Sequence, residues 1–349
     1  MDALKRGKKT LLLIFRTIAV PLITYVFFEI LDRSVAGVEV ISTISDVKAL
    51  LRTLLTSFCF AVALDCNLSL GRMDLSLGAQ MYMGCILGGN LALHFNTGGI
   101  GVLILSILVG GITGFITGIL FIYLRILPMI LGIGLMLIYE CISFSVNRQQ
   151  GLMLFGMPGV SVLSDIYFIL IVALILIFVM TFFFQYSTFG YERRAIQGNQ
   201  KLSAEGGINI FKNCVICYTI AGALAACAGV FETAYSGTMV PVLGMASNTI
   251  VFRNMFPMML GIWIGVFCYN SVVGIMMASL AIKILTQGLA KLSLEGNVQN
   301  IIIYTLFLLF VIYQTNAYRF DYNKKKRERI RLAKRMQEGM EKDHEAVVY

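Results

Sequence analysis

Apolar residues dominate ten stretches of this chain for about twenty residues at a time, and almost every charged residue lies between those stretches or at the two ends. The runs fall at 11–31, 48–69, 75–94, 99–124, 126–146, 164–186, 213–232, 250–269, 271–290 and 299–317. A helix rises about 1.5 Å per residue, so each run is long enough to cross a bilayer core about 30 Å thick. A water-soluble core has no use for so many runs of this length. The pattern predicts an all-α fold, a polytopic transmembrane helical bundle of about ten spans. Between 250 and 290 only Tyr269-Asn270-Ser271 marks a division between two spans.

Composition agrees with that reading and charge orients it. Of 349 residues 58% are hydrophobic and only 13% charged, against about a quarter charged in soluble domains. The net charge of +9 gathers at the ends. Lys5, Arg6, Lys8 and Lys9 precede the first run; Arg319, Lys324, Lys325, Lys326, Arg327, Arg329, Arg331, Lys334 and Arg335 follow the last, against Asp321 and Glu328. A basic run beside a membrane span reads as a cytoplasmic tail facing anionic lipid, not as a nucleic-acid site. Two basic ends place both termini in the cytoplasm, which requires an even number of spans. Ten spans put the polar loop 187–212 in the cytoplasm and the lysine-free loop around Gln149–Pro158 outside. The expected organisation is a cytoplasmic N-terminus at 1–10, a transmembrane domain at 11–317 and a basic tail at 318–349. The first run contains Arg16 and Pro21 and lacks a small-residue cleavage site, so it reads as a span and not a removed signal.

Recognisable catalytic patterns are missing. The chain has no Gly-x-x-x-x-Gly-Lys-Ser/Thr phosphate loop, no Gly-x-Ser-x-Gly, no voltage-sensor arginine ladder and no metal-spaced set of ligands. Cys214 and Cys217 form a lone C-x-x-C without a second pair, and the two histidines, His94 and His344, are remote in sequence; the eight cysteines read as buried thiols. No cofactor or metal is expected, and no enzyme. Uphill transport by such a chain draws its energy from a gradient or from another subunit.

Glycine and isolated polar residues supply the internal signals. Gly110, Gly114 and Gly118 lie at four-residue spacing on one helix face, a stripe that lets two backbones approach closely; an intramolecular seam is favoured over a dimer face. Between the second and third runs, Gly71 frees the backbone and Asp74 stands where an N-cap would start a helix, followed by Ser76 and Gly78. That junction reads either as a broken helix beside a polar solute path or as an ordinary capped turn. Asp65, Glu140, Glu232, Arg253 and Lys283 sit within apolar runs, where a charge facing lipid costs several kcal/mol. They line a path, pair structurally, or relay protons. Asp65, Asp74, Ser76, Gly78 and Glu140 form the candidate path set.

The polar island from Phe189 to Ile208 interrupts this hydrocarbon sequence. Three segments resemble the ribose/galactose-type sugar ABC importer permeases. Gly71-Arg72-Met73-Asp74-Leu75-Ser76-Leu77-Gly78 resembles the family's Gly-x-x-Asp-Leu-Ser-x-Gly. Leu127-Pro128-Met129-Ile130-Leu131-Gly132 is similar to its Pro-Phe-Ile-x-Thr-Leu-Gly. Arg194-Ala195-Ile196-Gln197-Gly198-Asn199, continuing to Gly207-Ile208, is similar to its cytoplasmic loop. The order and spacing hold across 50–235. The resemblance implies a multi-pass permease in a prokaryotic plasma membrane, working with an ATP-binding subunit, an extracytoplasmic solute-binding protein, and a second permease copy or a divergent paralogue. It implies coupling to the ATPase through Arg194, Ala195, Gly198, Asn199, Ala204, Gly207 and Ile208, and a sugar or sugar-like solute. Nucleosides, branched-chain amino acids and a gradient-driven secondary transporter stand as alternatives. The chain departs from the family at Leu202-Ser203, where paired alanines are usual, and at 258–270, where a glycine-rich stretch is usual.

Overall fold

The computed structural model describes residues 2–157 and 159–347, with side chains throughout except those of 2–12, 14, 148, 318–321, 323–325 and 332–347. Pro158 and the side chains of Lys5, Arg6, Lys8, Lys9, Arg319, Lys324, Lys325, Lys334 and Arg335 therefore lie outside the described residues. The described chain is almost wholly helical, in the order α1 (Asp2–Val35), α2 (Ile44–Leu68), α3 (Leu77–His94), α4 (Gly98–Leu124), α5 (Pro128–Ser145), α6 (Ile166–Thr181), α7 (Thr188–Gly198), α8 (Gln200–Glu205), α9 (Ile210–Ser236), α10 (Asn248–Cys268), α11 (Ser271–Lys291) and α12 (Gly296–Val347). Two short strands, β1 (Leu152–Met153) and β2 (Thr238–Met239), pair antiparallel and join the α5–α6 loop to the α9–α10 loop.

Among the described residues eight helical segments are long and apolar enough to cross a membrane: α2, α4, α5, α6 with its π-turn to Tyr186, α9, α10, α11 and residues 296–317 of α12. The sequence count of ten also includes α1 and α3. Helix α3 falls short on apolarity for a physical reason. It packs on α4, α5, α9 and α10, so its surroundings are protein instead of lipid, and it carries buried Gln80 and half-buried Asn90. Helix α6 is the opposite case: it buries only Ile169, Ala173 and Met180, and its remaining apolar side chains suit a lipid-facing surface.

Local chemistry sets the boundaries. Thr43 and Asp46 form a reciprocal capping box at the start of α2. Tyr269 adopts a left-handed conformation (φ 54°) and Asn270 caps α11 by accepting from the Val272 and Val273 amides, so the α10–α11 turn falls at the one division the sequence offered. Asp74, expected as an N-cap, is not one. Ser76 occupies the cap of α3, and the Asp74 carboxylate accepts from the Ser76 amide and hydroxyl instead, at 2.9 and 2.6 Å.

The described residues up to Ser293 form one compact unit and those from Leu294 a second. The second is built on α12, one continuous helix of 52 residues. The expected division between span and basic tail at 317/318 thus falls inside a helix.

Candidate functional site

The polar island folds as two helices joined at Asn199. This residue is extended (φ −158°), ends α7 and caps α8, its side chain accepting from the Leu202 amide at 3.0 Å. Gly207 (φ +85°) closes α8: the Ile208 amide donates to the Ser203 carbonyl at 3.1 Å and the Gly207 amide to that of Ala204 at 3.0 Å. This is the double closure that a left-handed residue after a helix permits. With its backbone satisfied internally, α8 leaves its surface free. Ala195, Gly198, Asn199, Ala204 and Gly207 are exposed, Ile208 is half-buried, and Leu202 is 66% exposed.

Two adjacent arginines in α7 face opposite ways. Arg194 is exposed, stacks over the Tyr191 ring at 4.7 Å and donates to the Gln185 carbonyl. Arg193 points inward. Its Nη2 lies 3.0 Å from Asp65 Oδ2, with side chains 5% and 2% exposed, and it donates to the Asp65 carbonyl at 2.6 Å and to the Ser69 hydroxyl. Its guanidinium also sits 4.3 Å from the centre of the Phe184 ring. The α7–α8 loop is thereby tied to the last turn of α2.

A second polar region lies inside the bundle. Asp74, Ser76 and Gln80 are joined by hydrogen bonds, Gln80 reaches Thr117 of α4 at 3.4 Å, and Thr117 shares a hydrogen bond of 3.0 Å with Tyr139 of α5. The next residue, Glu140, accepts from the Met245 amide at 2.9 Å and the Ser247 amide at 3.0 Å, at the start of α10. A Cβ on Gly78 would overlap the Ser247 carbonyl, so the starts of α3 and α10 meet backbone to backbone. Each start is held by a buried carboxylate, which suits the positive end of a helix dipole. Every one of these side chains is at most 5% exposed, so the region is closed in this conformation.

The sequence profile of a transport family, described as branched-chain amino acid transport system / permease component, matches residues 47–311. The chain belongs to this family. It is also similar to the D-allose transport system permease protein AlsC of Escherichia coli (strain K12), 28% identical over 185 residues, which is 51% of this chain and 56% of that one. The match thus spans about half the length of that relative. No solved structure matches the chain. The family and its apolar helices make this permease a multi-pass inner-membrane protein of a prokaryote.

Of the candidate path residues in the permease, Asp74, Ser76, Gly78 and Glu140 come together in the inner region. Asp65 does not: it belongs to the ion pair with Arg193. Glu232 and Arg253 face each other at 3.5 Å on partly exposed side chains. Gly110, Gly114 and Gly118 all face α9 of the same chain; a Cβ on Gly114 would overlap the Tyr218 carbonyl. Sequence reasoning missed Arg193, Gln80, and the seam of Gly261, Gly265 and Gly274 between α10 and α11. Asp65 held the signal for Arg193, since a carboxylate in an apolar run demands a cation. The partner's position, 128 residues away, has no local signature.

Proposed function

We propose that this permease forms the translocation path of an importer driven by a separate ATP-binding subunit and supplied by an extracytoplasmic solute-binding protein. The observation that carries the proposal is α8: a capped, exposed short helix whose neighbour α7 is anchored through Arg193 to the last turn of α2, from which residues 69–73 lead to Asp74. In this reading both termini and the island are cytoplasmic, the permease pairs with a second copy or a divergent paralogue, and the basic tail lies against anionic lipid. Arg194, Ala195, Gly198, Asn199, Ala204, Gly207 and Ile208 form the docking knob. Asp74, Ser76, Gly78 and Glu140 line the gated part of the path.

A sugar or sugar-like polar solute is the favoured cargo, supported by the resemblance at 71–78 and by the name of the AlsC relative, a D-allose transport system permease protein. The family's description as a branched-chain amino acid transport system favours branched-chain amino acids as a second reading. Uptake of labelled monosaccharides against leucine by the reconstituted complex separates the two.

Ala204→Arg tests the knob. Ala204 is exposed, so the variant inserts and melts like the parent, yet solute-stimulated ATP hydrolysis and uptake are lost, because the knob must fit a preformed cleft. Gly207→Glu acts in the same direction but also strains a left-handed position, so Ala204→Arg is the cleaner probe. A cysteine at 204 is labelled only from the cytoplasmic side. Parental transport by Ala204→Arg, or labelling from outside, sinks the assignment.

A further inference from the structure

Beside α8 the chain holds a cavity of about 340 Å³, bounded by the 70–72 turn, the α4–α5 turn and the start of α9. Arg72 and Arg125 line it, together with Gln200, and the lining contains no carboxylate. Arg72 is 5% exposed, its Nη1 has no hydrogen-bond partner, and no ion pair to it occurs among the described residues. A guanidinium stays protonated at any physiological pH, so burial without an anion leaves a full charge uncompensated. The contrast with Arg193, equally buried but matched to Asp65, is direct. The start of α9 adds the positive end of a 27-residue helix at Ile210 and Phe211. The remaining walls are apolar, including Phe121, Ile126 and Pro128. Next to them Tyr123, in the last turn of α4, and Leu127, at the cap of α5, are 80% and 68% exposed.

We propose that this cavity is a phosphate-binding site, occupied by the headgroup of an anionic phospholipid. Arg72 and Arg125 grip the phosphate oxygens, for which the planar fork of arginine is shaped. The apolar walls take the start of the acyl chains. Basic pockets between membrane helices at the surface of the bilayer recognise such headgroups. The bound lipid bridges the 70–72 turn, which leads to Asp74, with Gln200 at the start of α8. The lining includes no residue of α12, and the proposal does not depend on the solute or the energy source.

The test uses the full-length permease in vesicles of phosphatidylcholine with one quarter photoreactive phosphatidylglycerol. The cross-link is mapped to peptides covering 121–128 and 210–214. Arg72→Met, Arg125→Met and the double variant are compared with Arg72→Lys, which keeps the charge and loses the fork, and with Lys326→Met in the tail. Both methionine variants are expected to lower the cross-link about tenfold, the loss of one good phosphate contact, with Arg72→Lys in between and Lys326→Met unchanged. Arg125 is exposed, so Arg125→Met keeps the test open should Arg72→Met fail to insert. Photoreactive phosphatidylcholine cross-linking equally well, or cross-links indifferent to both arginines, overturns the proposal. Inorganic phosphate displacing the lipid cross-link at millimolar concentration supports the phosphate site and assigns it to soluble phosphate as well; displacement by chloride at the same ionic strength overturns it.

Discussion

Arg193 and Arg72 are buried to almost the same degree, 4% and 5% exposed, yet the chain treats them in opposite ways. Around Arg193 it supplies a carboxylate, a carbonyl, a hydroxyl and an aromatic face. Around Arg72 it supplies a cavity. The first arrangement is complete within one chain and joins two of its segments. The second is complete only with an anion from elsewhere. A buried charge is therefore a structural element or a binding site according to whether its partner is covalently part of the protein. Glu140 extends the rule to a third partner, two backbone amides at the start of a helix.

The largest effect is expected where removal strands a partner. Arg193→Met leaves Asp65 as a lone carboxylate, 2% exposed, and costs about 3–5 kcal/mol. Asp65→Leu combined with Arg193→Met strands nothing and restores most of that loss, because an apolar pair of similar volume often replaces a buried ion pair without penalty. Arg72→Met strands no protein group, so its melting temperature stays near that of the parent. Thermal unfolding of detergent-solubilised protein reads all three. Equal losses for Arg193→Met and Arg72→Met would erase the distinction between the two arginines.

How much of this was legible in the sequence follows from the range of each signal. The apolar runs and the Tyr269–Ser271 turn depend on contiguous residues, and the fold follows them closely. The four-residue spacing of Gly110, Gly114 and Gly118 gave their common face, but α9 as the facing helix is a tertiary fact. Asp74 looks like a cap because Asp caps helices well; the chain instead places Ser76 at the cap and engages the carboxylate in a network reaching Gln80. The continuity of α12 past 317 was hidden because charge marks where a helix leaves the membrane, not where it ends. Arg193 is hidden beside Arg194, which matches the resemblance better, since one residue of helix rotation, about 100°, separates the protein-facing side of α7 from the exposed one. Arg72 carries no local sign of its state, because only the fold shows that its charge is buried without a partner beside a cavity.

The smallest of these effects tests the third kind of partner. Glu140→Gln keeps the size of the side chain and one acceptor oxygen, but the amide's nitrogen cannot accept from a backbone N–H. One of the two amides, Met245 or Ser247, then loses its acceptor inside the bundle, at a cost of about 1–3 kcal/mol. Charge is lost as well, and with it the favourable interaction with the start of α10. The loss should remain below that of Arg193→Met, since an orphaned amide is cheaper to bury than an orphaned carboxylate. Amide exchange provides a local reading: the Met245 and Ser247 N–H groups should exchange faster in Glu140→Gln while those of α4 and α9 are unchanged. Melting and exchange both equal to the parent would mean that Glu140 does not hold the start of α10. The meeting of α3 and α10 at Gly78 would then rest on backbone packing alone.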